Sequence, residues 1–284
     1  MLTVLGFCAA GAAPALRRSF ASFGASLERH AGVEIALFEA KSYDDLATAV
    51  VSRYVDVAWL PPIPFASLAR AEAVVPLVHL RRGGSHRFRS ALLVRDDAPI
   101  RAPSDLAGKR AAWVDPSSAS GFVIPRIELE ALGVDPRTSF PRERFFHSHD
   151  AVVRAVVRGL ADFGATYAGV SVDGVTRGPW THAAATSAPI RVVALVGDIP
   201  GDVVAARSGL PSPVRERIRD SLLRISDDRK NRLLARGAFG VDEFCRFDAA
   251  DYAAFARVVD DAGERGLLDV GGLHADDSGA HVLA

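Results

Sequence analysis

The chain has 284 residues, with 34 basic against 34 acidic side chains and a formal charge of zero at pH 7. That balance gives no electrostatic ground for binding nucleic acid or an anionic membrane surface, and no apolar run reaches the length that direct membrane insertion needs. A chain of this length can bury one large core or two smaller lobes, and its two cysteines, Cys8 and Cys245, form neither a metal pattern nor a disulfide framework.

Residues 2–7 read as a first strand. The following alanine stretch, 9–13, is too short and soft for the apolar region of a signal peptide ahead of Arg17 and Arg18. The expectation is a cytoplasmic protein, or a periplasmic or lipid-anchored one whose export signal lies outside this sequence. Gly6 and Gly11 have P-loop spacing but lack the Lys-Ser/Thr pair that handles phosphate and Mg²⁺, so no nucleotide site is expected. Pro14 suits a first helical position, Leu16, Phe20, Phe23 and Leu27 form one apolar face, and Gly32 closes that helix. Strands follow at 33–38 and 55–60, with a helix between them capped by Ser42 and carrying Leu46, Ala49 and Val50. Pro61 and Pro62 end the strand. A short helix at 63–71, an apolar run at 74–80, a polar turn at 81–89 and a strand at 90–95 come next. Strands alternating with helices predict an α/β fold with mainly parallel sheets.

The central stretch is Trp113-Val-Asp-Pro-Ser-Ser-Ala-Ser-Gly121. A buried strand at 109–114 is stopped by Asp115-Pro116, and after the serines a largely apolar helical stretch runs to Leu132, with Gly133 as its stop. A strand turning through Ser and Gly into a helix gathers free N–H groups, hydroxyls and the positive end of a helix dipole, which suits an oxyanion. The plainer reading is that Ser118 or Ser120 only caps a helix. Pro125 removes a hydrogen bond in the first turns and predicts an irregular helix start.

His149-Asp150 opens another helix, bearing Val152, Val153, Val156 and Val157, and a turn at Gly159 leads into a strand at 161–165. Asp44 to Asp56 and Asp150 to Asp162 have the same spacing. This reads either as a two-copy repeat, hence two similar lobes, or as two unrelated units. Residues 190–196 form a late strand, and 197–202 read as a crossover. Helices are expected for the rest: one from Ser212-Pro213 with Val214, Ile218, Leu222 and Ile225, one over Leu233-Leu234, and one capped by Asp248 with Tyr252, Phe255 and Val259. A loose tail is expected from Gly271.

Several pieces, in this order and spacing, carry a resemblance: Val55-Asp-Val-Ala-Trp59; Ser90 to Asp97 with Pro99-Ile100; Ser104-Asp-Leu-Ala-Gly-Lys109; Asp115-Pro-Ser-Ser-Ala-Ser-Gly121 with Pro125; Ser148-His-Asp150; Gly159 to Asp162; and Pro200-Gly-Asp202. Together they resemble the substrate-binding proteins of phosphonate, phosphite and phosphate ABC importers. The resemblance implies a type II periplasmic-binding-protein fold, two α/β lobes with a ligand cleft between them. Residues 1–92 and 200–284 would form one lobe and 93–199 the other. It implies closure on a small anionic ligand, an ABC permease as partner, and neither a cofactor nor a metal. The hydroxyls of Ser118 and Ser120 and the backbone from Ala119 through Gly121 would cradle the anion, His149 would donate to it, and Asp202 would receive a ligand amine. Phe88, Leu60 and Trp59 would wall the cleft, although Trp59 also reads as core.

The chain departs from the family pattern in ways that remove polar groups. Ala119 stands in place of a threonine, Leu60 and Phe88 in place of tyrosines, and Gly169 in place of a glutamate. An aminoalkylphosphonate is disfavoured on that ground. Asp56 and Asp162 read as structural, His86 and His147 as surface histidines, and Arg81, Arg82, Arg87 and Arg89 as a solvated turn, with an arginine there reaching the cleft as the lesser reading. A second function also fits the scaffold: a cytosolic enzyme or sensor for an anionic metabolite, with His149 as its first candidate base and Asp202 its second.

Overall fold

The computed structural model describes residues 2–8, 14–170, 176–182, 189–225 and 227–269. The stretch 9–13 and the tail from Gly271 lie outside the described residues. Strands and helices alternate first: β1 (Leu2–Cys8), α1 (Pro14–Ala31), β2 (Glu34–Ala40), α2 (Tyr43–Val51), β3 (Val57–Leu60), α3 (Pro62–Arg70) and β4 (Val74–Arg81). Next come β5 (Arg87–Arg95), β6 (Ala111–Trp113), α4 (Ile124–Ala131), β7 (Glu143–Phe145), α5 (His149–Val157), β8 (Phe163–Val170), β9 (Thr176–Arg177), α6 (Pro179–His182) and β10 (Ile190–Pro200). The chain continues through β11 (Val203–Arg207), α7 (Ser212–Ile225), α8 (Arg229–Phe239), β12 (Glu243–Cys245) and α9 (Ala249–Glu264).

The apolar faces read from the periodicity are buried ones. Phe20, Phe23 and Leu27 of α1, Leu46 and Val50 of α2, Val152, Val153 and Val156 of α5, and Val214, Ile218, Leu222 and Ile225 of α7 all lie in the core. Burying side chains of this size is worth roughly 1.5–3 kcal/mol each, which fixes the helices against their sheets. Ser42 caps α2 by accepting from the Asp45 N–H, and Ser148 caps α5 by accepting from that of Ala151.

The strands form two sheets, ordered β12-β4-β11-β3-β1-β2 and β10-β5-β8-β6-β7, with β9 paired to β8. Pairing is parallel only within β2-β1-β3 and β7-β6-β8; the other pairings among the described residues are antiparallel. The expectation of mainly parallel sheets is therefore corrected. Parallel neighbours need a helical crossover, whereas β5, β10, β11 and β12 enter the sheets as antiparallel partners.

Three further differences concern the second half. The stretch after residue 202 is not all helical, because β11 runs between β3 and β4 and β12 adds to the edge of β4. Among the described residues, β7 and β9 are also strands that the sequence reading lacks. The strand expected at 190–196 continues to Pro200 through an irregularity beside Gly197, whose φ is +69°. The crossover shrinks to Gly201-Asp202.

The chain changes sheet between Arg81 and Arg87 and again between Pro200 and Val203. The boundary expected at residue 92 falls inside β5, which lies wholly in the second sheet. The two crossings run side by side: the Gly201 N–H donates to the His86 carbonyl at 2.6 Å, and the Leu80 N–H donates to the Asp202 carbonyl at 3.0 Å. A Cβ at position 201 would lie 2.7 Å from the His86 carbonyl oxygen, so the close approach requires glycine. Tyr252 of α9 donates its hydroxyl to the Gly201 carbonyl and ties that helix to the crossing.

Candidate functional site

The serine stretch leaves β6 and turns into a single wide turn, Ala119–Val123, before α4 begins. The N–H groups of Phe122 and Val123 both reach the Ser118 carbonyl, at 3.1 and 3.0 Å. Pro125, with no N–H, cannot donate to the carbonyls one turn before it. Those carbonyls find other donors: the Ser90 hydroxyl donates to the Ser120 carbonyl at 2.6 Å, and the Val114 N–H to that of Gly121 at 3.1 Å. The irregular start expected from Pro125 is present.

Ser118 is a cap, as the plainer reading held. Its Oγ accepts the Gly121 N–H at 3.0 Å, so its own proton stays available to another acceptor. The N–H groups of Ala119 and Ser120 open the turn and have no intrahelical acceptor. Ser120 is 4% exposed, and its hydroxyl bonds no group among the described residues. Ser118, Ala119 and Ser120 all line a cavity of about 790 Å³. Gly121 does not line it, and its N–H is spent on Ser118. A Cβ at Gly121 would lie 2.3 Å from Val114, which explains the glycine by packing.

The turn rests on a buried ionic support. Trp113 is fully buried and donates its indole N–H to Glu143 at 2.7 Å. Arg126 of α4, also fully buried, pairs with the same carboxylate and donates to the Leu267 carbonyl at 2.6 Å and the Asp269 carbonyl at 2.8 Å. Burial pushes Glu143 up and Arg126 down, and their mutual attraction opposes both shifts.

Other walls come from the carboxyl ends of strands and the first turns of helices, as is usual for open α/β sheets. His149, first residue of α5, is half-buried. Its Nδ1 lies 2.7 Å from the Thr166 hydroxyl, and Tyr167 packs edge-on against its ring at 4.9 Å. Burial pushes the imidazole down to about 4, against a weaker pull from the Asp202 carboxylate, so the ring is neutral near pH 7. Tyr43, first residue of α2, lines the same cavity, and burial holds its phenol well above the usual tyrosine range. A second cavity of about 240 Å³ shares Cys8, Tyr43 and His149 with the first. No disulfide joins Cys8 and Cys245.

The opposite wall holds Asp202, which is buried and accepts on one oxygen from the Trp59 indole at 3.1 Å and from Arg82 at 2.8 Å. Arg82 donates further to the Phe239 carbonyl at 2.9 Å. Arg82, Arg87 and Phe88 line the cavity, together with Arg236 and Asp242 near α8. The solvated-turn reading holds for neither Arg82 nor Arg87. Arg87 pairs with Asp198 and Asp251, and Arg81 with Glu243. His86 is not simply a surface residue either, because its Nε2 lies 2.7 Å from Asp251. His147 is exposed, its side chain 76% accessible.

The structure brings Ser118, Ala119, Ser120, His149, Asp202, Phe88 and Trp59 to one cavity. Leu60 is not there. Alternation along β3 turns it away from Trp59 into the core, where it is fully buried, and Pro61 and Pro62 form the wall instead. Tyr43, Tyr167 and Arg236 are lining residues that sequence reading missed, while Arg82 and Arg87 follow the lesser reading of an arginine reaching the cleft; all five return polar groups to a site expected to have lost them. Among the described residues, no hydrogen bond joins His149 to Ser120 or to Asp202. No group of His, Cys, Asp and Glu side chains among them could hold a metal, and no described helix is long and apolar enough to cross a membrane.

Two mixed sheets joined by paired crossings, with a cavity at strand ends, define a type II periplasmic-binding-protein fold. Residues 5–252 match the family described as ABC transporter, phosphonate, periplasmic substrate-binding protein, and the chain belongs to that family. It is 28% identical over 159 residues to the phosphate-import protein PhnD of Mycolicibacterium smegmatis, covering 52% of this chain and 50% of that one. It is 26% identical over 215 residues to the phosphonates-binding periplasmic protein of Escherichia coli, covering 72% and 60%. The chain thus matches between half and three fifths of the length of these relatives. The structure of PhnD1 from Prochlorococcus marinus in complex with methylphosphonate superposes with a TM-score of 0.77 at 16% identity, covering 93% of this chain and 98% of that one.

Proposed function

We propose that this chain captures a small phosphonate- or phosphate-like oxyanion in the 790 Å³ cavity and delivers it to an ABC permease. The observation that carries this reading is the convergence at the serine turn. The Ser118 and Ser120 hydroxyls and the Ala119 and Ser120 N–H groups meet there, at a helix start with its positive dipole end. Nδ1 of neutral His149 lies 2.7 Å from the Thr166 hydroxyl; in the tautomer where that hydroxyl donates, Nε2 carries the ring proton and would offer it to the same anion. No covalent chemistry is required. The two sheets act as two lobes that close about the crossings at residues 82–86 and 201–202, a hinge motion. The periplasmic setting of the family supports capture outside the cytoplasm. The phosphate named for one relative and the methylphosphonate bound by another support the ligand class.

Titration calorimetry against phosphate, phosphite, methylphosphonate and sulfate tests this. One of them binds at micromolar affinity or better, and Ser120→Ala weakens it by about tenfold or more, since a hydrogen bond to a charged group is worth about 1.5–3 kcal/mol. If none binds, or if Ser120→Ala leaves affinity unchanged, the proposal fails.

A further inference from the structure

The far wall of the cavity contains a guanidinium that the protein only partly uses. Arg82 has five N–H donors. Its Nη2 serves Asp202 at 2.8 Å and the Phe239 carbonyl at 2.9 Å. Nε and Nη1 donate to no group among the described residues, and the side chain is 36% accessible while lining the cavity. Asp202, by contrast, is 11% accessible at its side chain, and its charge is already balanced by Arg82. The neighbouring charges do not reverse this. Arg87 is matched by Asp198 and Asp251, and Arg236 by Asp242. A ligand amine would have to reach the second Asp202 oxygen, on a side chain only 11% accessible, and would lie beside the Arg82 cation, whereas the Arg82 donors are the more exposed half of the pair. A carboxylate would meet the open N–H groups of Nε and Nη1 one at a time, because both planar forks of the guanidinium include Nη2, whose two protons already go to Asp202 and Phe239.

We infer that the ligand is anionic at both ends, with a phosphoryl group at the serine turn and a carboxylate at Arg82. This rests on the oxyanion reading of the serine turn and goes beyond it by naming the second recognition element. Arg82 sits on one crossing and Asp202 on the other, so their pair stands where closure would bring it against the ligand.

Calorimetry with three phosphonates of similar size separates the cases: 3-phosphonopropionate, ethylphosphonate and 2-aminoethylphosphonate. The carboxylate compound binds about tenfold or more tighter than ethylphosphonate, and the amine compound binds weakest. Arg82→Gln removes most of the preference for the carboxylate over the ethyl compound, and Arg82→Lys, which keeps the charge with fewer donors to share between Asp202 and the ligand, retains part of it. Circular dichroism of each variant confirms that it is folded. Tighter binding of the amine compound, or an equal loss for all three ligands in Arg82→Gln, overturns the inference. If ethylphosphonate binds and the carboxylate brings no gain, this inference alone fails. If no phosphonate, phosphate or sulfate binds, the reading of the serine turn fails with it.

Discussion

The segment from β1 to β3 and the segment from β6 to β8 are two versions of one frame. In the first, the Val4 N–H donates to the Asp56 carboxylate at 2.9 Å and the Asp56 N–H returns to the Val4 carbonyl at 3.0 Å. In the second, Arg110 and Asp162 make the same exchange at 2.8 and 3.0 Å, and both pairs are 52 residues apart. Ser42 and Ser148 cap equivalent helices, and Arg53 and Gly159 hold equivalent turns at φ values of 64° and 68°. The frames then diverge where they meet the cavity. The first residue after the cap is Tyr43 in one copy and His149 in the other. Only the second copy follows its central strand with the serine turn and supports it from below with Arg126 and Glu143. The frame supplies position, and the residues at the strand ends supply chemistry. The second copy bears the serine turn and, with it, the buried Arg126–Glu143 pair beneath.

That asymmetry can be broken first at Glu143. Removing the carboxylate leaves Arg126, which is fully buried, without its counter-charge and the Trp113 indole without an acceptor. Glu143→Ala costs about 3–5 kcal/mol in urea denaturation. The first copy has no equivalent pair among the described residues, so no single surface ion pair there matches this loss. A cost below about 1 kcal/mol would mean that the turn does not depend on this support.

The shared frame is tested more finely by its two aspartates. Asp56 is 12% accessible at its side chain and also pairs with Arg207 of β11 at 2.7 Å, across the sheet. Asp162 is 33% accessible, and its ionic partner Arg110 is the residue whose N–H it already accepts. Asp56→Ala is expected to cost about 2–3 kcal/mol, because it strands a buried N–H and a long-range partner. Asp162→Ala is expected to cost about 1 kcal/mol, because solvent takes over part of the lost interaction. Equal losses by denaturation would show that the frame is held by backbone pairing alone.

Legibility followed the same division. The helices and their buried faces were readable because apolar side chains recur at helical spacing and because serine caps and glycine stops mark the ends. The repeat was readable from the equal Asp44–Asp56 and Asp150–Asp162 spacings, although the 52-residue exchange with Val4 and Arg110 was not. Ser118 and Ser120 drew notice because a strand–serine–helix junction suits an oxyanion, whereas His149 came from the family resemblance and its place at a helix start. What stayed hidden depends on contacts far apart in the chain. Arg82 looked like one cation in a solvated turn, and only the adjacent crossings bring it to Asp202. Leu60 was misassigned because the pleat of β3, set by its neighbours, decides which of Trp59 and Leu60 faces the cavity. The strand β11 was missed because Val203-Val-Ala-Ala is too short to signal more than an apolar run, and its place between β3 and β4 is set by the return from the second sheet.

The smallest expected effect distinguishes the two helix-start residues by pH. An unfolded histidine takes up its proton near pH 6.5, whereas folded His149 resists it until about pH 4 because burial disfavours the cation. As pH falls from about 6.5 towards 4, the unfolded state therefore binds the extra proton, and folding stability declines across that window. Below about 4 the folded ring is protonated too and its contribution levels off. Tyr43, its counterpart, has a phenol pushed upward and does not titrate in this range. His79, fully buried with neither ring nitrogen bonded among the described residues, is shifted downward by burial in the same way, so a wild-type decline alone does not identify His149. The comparison of variants does. His149→Gln flattens part of the decline measured by denaturation between pH 7 and 4, and Tyr43→Phe leaves its slope as in the wild type. If both variants change the slope equally, the decline belongs to the frame common to the two copies, and the proposal of His149 as a neutral donor at the serine turn fails.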